Sequence, residues 1–362
     1  MSENNNLKQS GGGLKGQDIF FKITSVENLF LSWKEFKKGK TRKLDVVLFE
    51  KDYRNDIYNL RAELLAKTYK HEKYQSFFVK DPKLRHIHKA SVRDRVLHHA
   101  VFRILYPIFD KCFIADSYSC RVGKGTHKAV NRLECFASGD RNNLYALKCD
   151  IKKYFDSINQ DILMSLLERK IGDKNVLWLI NKIIKSFPKG LPLGNITSQL
   201  FANIYLNELD KFIKHKLKLK YYIRYCDDFI IVEHDEAYLR KLIPIINAFL
   251  MGTLKLALHP NKVVIRKYNQ GIDFLGYVVF PNHRTLRHKT EKRMFRKIKQ
   301  RKEDLNLAKI SKDSFDQTMQ SYFGVLSHCN SHKLKKEIKI LVTLPECSNV
   351  ARVVLDTLFK IE

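Results

Sequence analysis

The chain has 362 residues, 44% of them hydrophobic, and carries 67 Lys plus Arg against 38 Asp plus Glu, a net charge of +29. That length supports a sizeable core and more than one compact unit, and the charge points to a polyanionic partner, nucleic acid above all. No stretch approaches 18 continuous apolar residues, so no membrane partner is expected; the seven scattered cysteines lack CxxC spacing and fit the reduced thiols of a cytoplasmic protein.

The start, MSENNNLKQSGGGLKG, is polar and reads as a flexible tail over residues 1–20, with no secretory signal. FKITSVENLFLSWKEFKKGK reads as a short helix running into a basic loop. Asp52–Thr68 has helical spacing through Ile57, Leu60 and Leu64. YQSFFVKDPKLRHIHKA predicts two short strands that turn at Asp81–Pro82, with Lys80, Lys83 and Arg85 close to the turn. A helix follows through VRDRVLHHAVFRILYPIF, its stripe formed by Val96, Ala100, Ile104 and Ile108. Neither His86–His88 nor His98–His99 has the partners of a metal site.

Tyr145–Ile151 alternates as a strand, with Ala146, Lys148 and Asp150 on one face. Helices are expected over Gln160–Glu168 and Asn175–Ser186. LPLGNITSQ then enters a helix with the stripe Phe201, Tyr205, Leu209 and Phe212. The segment YYIRYCDDFIIV reads as a hairpin, followed by a helix over Asp235–Gly252 and by two strand-like pieces, NKVVIRKY and FLGYVVF. From His283 the composition changes: HRTLRHKTEKRMFRKIKQRK holds ten Lys or Arg and one acidic residue, and the chain is helix-like from there to its end. A boundary is expected near Asn282, between a catalytic unit and a small basic helical one.

Two adjacent aspartates, Asp227 and Asp228, interrupt an otherwise apolar hairpin. Like charges in a poorly solvated site repel, and each pays a desolvation cost unless a positive group is near. Asp is also a common turn former. The pair is therefore a solvated turn or half of a metal site. A metal site needs a third carboxylate, because two divalent ions that hold the attacking and leaving oxygens of a phosphoryl transfer share such ligands. Asp150, which ends an apolar strand, is the natural candidate.

DIKKYFDSI at 150–158, LGNITSQ at 193–199, YCDD at 225–228 and FLGY at 274–277 resemble, in that order, the palm motifs of reverse transcriptases. RHIHKASVRDRV resembles the fingers segment of bacterial and group II intron enzymes, and SYSCRVGKGTHKA the block that follows it. The likeness implies an α+β right-hand polymerase fold with fingers and palm followed by a helical thumb. Its divisions would be a tail over 1–20, N-terminal helices and fingers over 21–140, palm over 141–282 with the remaining fingers helices between motifs, and a basic thumb over 283–362.

The implied reaction is RNA-directed DNA synthesis, in which a primer 3′-hydroxyl attacks the α-phosphorus of a dNTP. Asp150 and Asp227 would be the principal ligands of two Mg²⁺ ions, with Mn²⁺ as a substitute, and Asp228 the third acidic residue. Phe155, five residues past Asp150, would lie beneath the sugar and select deoxynucleotides. Arg85, with Lys83 beside it, would meet the triphosphate. Gly194 would let the backbone approach the template and incoming base pair. Ser198 and Gln199 would begin the helix beneath the template, and Lys262 would stand near the leaving pyrophosphate. Arg284–Lys302, with Arg293, Arg296 and Lys297, would hold the template–primer duplex by its phosphates.

The third block departs from the common QGxxxSP: Leu193 replaces the Gln and Gln199 the Pro. That form resembles the reverse transcriptases of bacterial diversity-generating retroelements, which copy a template RNA with misincorporation opposite adenines and work with a small basic accessory protein. Free-standing phage-defence reverse transcriptases, which use a structured noncoding RNA, share much of the pattern. A maturase-like or HNH-like extension is not expected, since the sequence stops at Glu362. The reading from a different class is a non-catalytic RNA-binding palm scaffold, which loss of a metal carboxylate would mark; all three are present.

Overall fold

A computed structural model describes residues 18–80, 83–137 and 143–343. These form two compact units. The first runs to Gly125 and adds Leu147–Ile231 and Glu236–Val264; the second holds Thr126–Ala146, Val232–Asp235 and the chain from Ile265.

The described residues open with two helices, α1 (Asp18–Thr24) and α2 (Val26–Lys37), where one is expected. Ser25 separates them: its backbone is extended and its hydroxyl caps α2 by accepting from Asn28 N at 3.1 Å. α1 begins inside the span 1–20 expected as a tail, of which 1–17 lie outside the described residues. α3 (Leu44–Glu50) and α4 (Tyr53–Leu65) follow, and the expected stripe of Ile57, Leu60 and Leu64 is buried.

β1 (Gln75–Lys80) and β2 (Leu84–Lys89) pair antiparallel, with Lys80 opposite Leu84 and Val79 opposite Arg85. Asp81 and Pro82, the expected turn, lie outside the described residues. α5 (Val92–Asp110) is capped by Ser91 Oγ, which accepts from Asp94 N at 3.2 Å. Its core face starts with Val96 and Ala100 as expected but continues through Val101, Leu105 and Phe109, while Ile104 and Ile108 are half-buried. At 3.6 residues per turn, each step of four rotates about 40° past the starting face, so a strict every-fourth stripe winds out of the core.

After α6 (Thr126–Phe136) come β3 (Tyr145–Asp150), the single turn α7 (Tyr154–Ser157), α8 (Gln160–Glu168) and α9 (Lys174–Lys185). Asp173 caps α9 by accepting from Asn175 N at 2.9 Å, and its other oxygen accepts from Phe20 N at 3.0 Å, which pins α1 to the same unit. α10 (Ile196–Lys211) is the central helix of the first unit, packed against α5 and α8. Residues on all its sides are buried, from Thr197 and Ser198 to Leu209 and Asp210, so the expected single stripe understates it.

β4 (Tyr221–Tyr225) and β5 (Asp228–Glu233) are joined by two residues, and the sheet order is β4, β5, β3. α11 (Glu236–Leu254) and β6 (Val264–Lys267), which begins in this unit at Val264, follow.

In the second unit, FLGYVVF is not one strand. β7 (Ile272–Phe274) and β8 (Tyr277–Val279) are antiparallel, and the turn between them places Leu275 and Gly276 at φ 50° and 94°. Two positive-φ residues make a tight hairpin turn whose twist matches the strands. β9 (Arg284–Leu286) completes this sheet, so the strands on both sides of Asn282 share one sheet and the expected boundary there falls inside the unit. The first part of the basic run is thus a strand, and the helix α12 spans His288–Asn306. α13 (Lys312–Leu326) and α14 (His332–Thr343) pack with it through Ile298, Phe315, Met319, Ile338 and Leu341. The helix expected beyond Thr343 lies outside the described residues.

Candidate active site

Asp150 closes β3, and the chain beyond it is clamped to the 256–262 segment. His259 N donates to the Asp150 carbonyl at 2.8 Å, Lys152 N donates to Ala257 O at 3.0 Å, and Ile151 bridges Leu258 antiparallel. That clamp delivers Lys262, whose Nζ reaches both carboxylate oxygens of Asp150 at 2.8 Å. Asp227 occupies the turn between β4 and β5, and Asp228 is the first residue of β5, the strand next to β3. Lys148, two residues before Asp150 on the same strand face, lies 3.5 Å from Asp228 Oδ2.

The three carboxylates share one electrostatic neighbourhood. Burial pushes the Asp227 carboxyl up from its ordinary value, and the charge of Asp150 adds to the rise. Asp228 is pushed up to about 6, first by burial and then by repulsion from Asp150 and Asp227, against the opposing pull of Lys148. Asp228 Oδ1 is buried and has no hydrogen-bond partner. A desolvated, mutually repelling set of oxygens with one orphan acceptor is the donor chemistry a hard divalent cation satisfies. As the side chains stand, no three His, Cys, Asp or Glu among the described residues converge to hold an ion; the Lys262 ammonium occupies Asp150 instead.

Phe155 lies on α7 and is half-buried, its ring edge-on to Tyr154 at 5.5 Å. It lines a small crevice with Gln199, Cys120, Arg224 and Cys226, beside the YCDD turn. The Phe155 carbonyl accepts from Leu191 N at 2.9 Å, and only a glycine fits next to it: a Cβ on Gly190 would stand 2.2 Å from that oxygen. Asp156 is exposed.

Gly194 turns toward the fingers. At φ 115°, its missing Cβ would meet Ile87 Cγ2 at 3.0 Å, and the adjacent Leu193 carbonyl accepts from His88 N at 3.0 Å. A side chain there would press on β2, while Gly194 itself stays exposed. Ser198 is 3% exposed, too buried to touch a nucleic acid, whereas Gln199 is exposed. Lys83 and Arg85 stand exposed on the β1–β2 ribbon beside Phe78, 64% exposed and stacked on His86 at 4.4 Å. In the second unit Arg296 is exposed and lines a groove of about 1040 Å³ between α12 and α14, while Arg293 and Lys297 are half-buried and engaged with partners. The three stand at i, i+3 and i+4 on α12 and share one arc of the helix, but only Arg296 is exposed.

Two features escape a reading of the sequence. Lys148 is visible there on the Asp150 face, but nothing in the spacing assigns it a partner. Arg224, a single guanidinium in the apolar run YYIRY, signals an unusual buried charge.

The palm-type motifs thus occupy a β-strand end, a helix entrance and a hairpin turn around one carboxylate cluster. The family described as reverse transcriptase (RNA-dependent DNA polymerase) matches residues 78–279. The chain belongs to the reverse transcriptase family. It is 27% identical over 268 residues to Protein YkfC of Escherichia coli (strain K12), covering 61% of this chain and 70% of that protein. It is 34% identical over 149 residues to the group II intron-encoded protein LtrA of Lactococcus lactis subsp. cremoris, covering 38% of this chain and 24% of LtrA. A solved telomerase from Candida albicans, in complex with a fragment of telomeric RNA, aligns at 14% identity with a TM-score of 0.46, over 71% of this chain and 56% of that one. The family's activity is RNA-directed DNA polymerisation on an α+β polymerase fold, and reverse transcriptases use divalent metal ions. Among the described residues, no helix is long and apolar enough to cross a membrane.

Proposed function

We propose that this reverse transcriptase extends a DNA primer with dNTPs on a template RNA, using Asp150, Asp227 and Asp228 to hold two Mg²⁺ ions. The observation that supports this most is Asp228 Oδ1, buried and without a hydrogen-bond partner, on a carboxyl that burial and the charges of Asp150 and Asp227 push up. Such ions, when bound, stabilise the attacking and departing oxygens of phosphoryl transfer. The chain's own residues do the rest. Lys262 leaves Asp150 and turns to the triphosphate, supplying a positive charge and a proton donor at the departing pyrophosphate. Phe155, at the crevice beside the YCDD turn, sets the floor against a 2′-hydroxyl. Arg85 and Lys83, exposed on the fingers ribbon, take the phosphate oxygens.

The biological setting proposed is a diversity-generating retroelement, supported by Leu193 and Gln199 in the third block, with a small basic accessory protein as partner. Primer extension with and without Mg²⁺, followed by sequencing of the cDNA, tests both levels. Metal-dependent extension with errors concentrated at template adenines is expected. Extension with errors spread evenly over the four template bases would remove the diversification role and favour the defence-type reading with a structured noncoding RNA. No extension at any metal concentration would leave the non-catalytic scaffold.

A further inference from the structure

Arg224 has no exposed surface, and it is two residues before the residue that turns the YCDD hairpin. A guanidinium carries five N–H donors, and all five directions are used. Nε and Nη2 fork onto the two oxygens of Asp210 at 2.7 and 2.6 Å. Nη2 also donates to Ser117 Oγ at 3.0 Å, and Nη1 to Asn203 Oδ1 at 3.2 Å. The remaining bond runs from Nη1 to the carbonyl of Cys226 at 3.0 Å. Tyr222, on the same strand, donates to Asp210 Oδ1 at 2.7 Å. The main chain of Arg224 is fixed as well: its N donates to Asp116 O at 3.0 Å, and its O accepts from Tyr118 N at 2.9 Å.

A buried ion pair is weak support for stability, since an apolar pair of similar volume often serves as well. The bond to Cys226 gives this one a different use. Cys226 has φ 57°, a left-handed backbone that a non-glycine residue adopts at a cost of roughly 1–2 kcal/mol. A carbonyl turned into the protein needs a donor, and Arg224 supplies it. The next residue is Asp227.

We propose that Arg224 is a positioning residue: it holds the Cys226 carbonyl and thereby fixes how Asp227 and Asp228 present their carboxylates to the divalent cation. Asp210 and Asn203, both on the buried helix α10, anchor it, so the aim of the catalytic turn is referenced to the most buried helix of the unit. This rests on the metal-ion reading above.

Arg224→Lys keeps a charge against Asp210, but one ammonium cannot span Asp210, Asn203, Ser117 and the Cys226 carbonyl together. Two readouts separate positioning from mere support. The first is Mn²⁺ affinity, measured by paramagnetic titration of the enzyme without substrate; the second is the division between kcat and the dNTP KM. Loss of a group that orients a metal ligand costs about 10- to 100-fold in affinity or rate. Arg224→Lys is therefore expected to weaken Mn²⁺ binding and lower kcat by about that factor, with KM within about twofold. Ser117→Ala, which removes a bond on the side away from the turn, should leave both readouts near wild type. If Arg224→Lys does not fold, Arg224→Met with Asp210→Leu removes both charges together and still deprives Cys226 of its donor, with the same expected losses. A folded variant of either kind with wild-type Mn²⁺ affinity and kcat overturns the proposal. Asp150→Asn in parallel keeps the two ideas apart. If it stays fully active, the metal reading itself fails; if it is inactive while Arg224→Lys is not, only the positioning role fails.

Discussion

Lys262 holds both oxygens of Asp150 at 2.8 Å, so an ammonium occupies the carboxylate to which the proposed mechanism assigns a metal. The pair is part-exposed, 39% at the lysine and 19% at the aspartate, and such pairs contribute about 1 kcal/mol or less. A divalent ion can displace it at small cost.

Lys262→Met should therefore tighten Mn²⁺ binding in the absence of nucleotide by only about two- to fivefold. The same variant should lose about 100-fold in the single-turnover rate, the usual scale for a missing proton donor. Mn²⁺ titration and rapid-quench kinetics on one preparation measure both. An unchanged rate would show that the lysine serves Asp150 alone.

Asp150→Asn and Asp227→Asn should each abolish extension while folding and RNA binding persist. An amide brings no charge to either position, and the proposed binding of two cations would depend on that charge. Extension, thermal melting and RNA binding are compared on the same samples. Full-rate extension by either variant would remove these residues from the centre.

The carboxylates are legible in the sequence because their motifs are local: Asp150 ends a strand that alternates, and the paired aspartates break an apolar hairpin. Arg224 is legible only as an anomaly. Its partners Asp210, Asn203 and Ser117 lie 14, 21 and 107 positions away, and no spacing rule connects them. FLGYVVF reads as a strand because nothing in its apolar pattern announces that Leu275 takes a positive φ. Likewise, a run of basic residues does not say which side of α12 faces α14, and so it groups Arg293 and Lys297 with Arg296.

Stability without metal should fall as pH rises through the titration of Asp228. Its folded value, about 6, lies above the ordinary 3.8. The favourable contribution of the protonated form is thus complete below 3.8 and is lost as pH rises through about 6. Asp227 is raised in the same direction. Asp228→Asn should melt higher than wild type at pH 8 in a metal-free buffer, by about 2–4 °C, the shift that ~1 kcal/mol produces in a cooperative unit of about 150–250 residues. The advantage should shrink toward pH 5. Melting curves across that range decide it; a pH-independent difference would mean that Asp228 is not the titrating group.

Phe155→Ala should raise ribonucleotide use relative to deoxynucleotide use, by about 10-fold or more on the scale of a pocket that loses its steric check. Phe155 is half-buried at the crevice beside the YCDD turn, so it is neither plain core nor free surface. Incorporation kinetics with rNTP and dNTP on one primer give the ratio. No change in a folded variant would return the residue to packing.

Salt sensitivity should reside in one face of α12. Lys292, Arg296 and Lys299 are exposed and follow one another at helical spacing along the groove shared with α14, where Lys333 adds a fourth cation. Glu291, Glu303 and Glu337 line the same groove, which tempers the local field and makes each phosphate contact more dependent on register. Replacing Lys292, Arg296 and Lys299 with Ala should weaken template–primer binding alike on unrelated sequences. It should also flatten the log–log salt slope by about 0.9 for each duplex phosphate that is no longer neutralised. Arg293→Ala with Lys297→Ala, which removes half-buried charges that have partners, should lower the melting temperature and leave the slope nearly unchanged. Titrations between about 50 and 200 mM salt resolve the two patterns. A slope that responds to Arg293 and Lys297 but not to the groove face would move the phosphate-binding surface to the adjoining face of the helix.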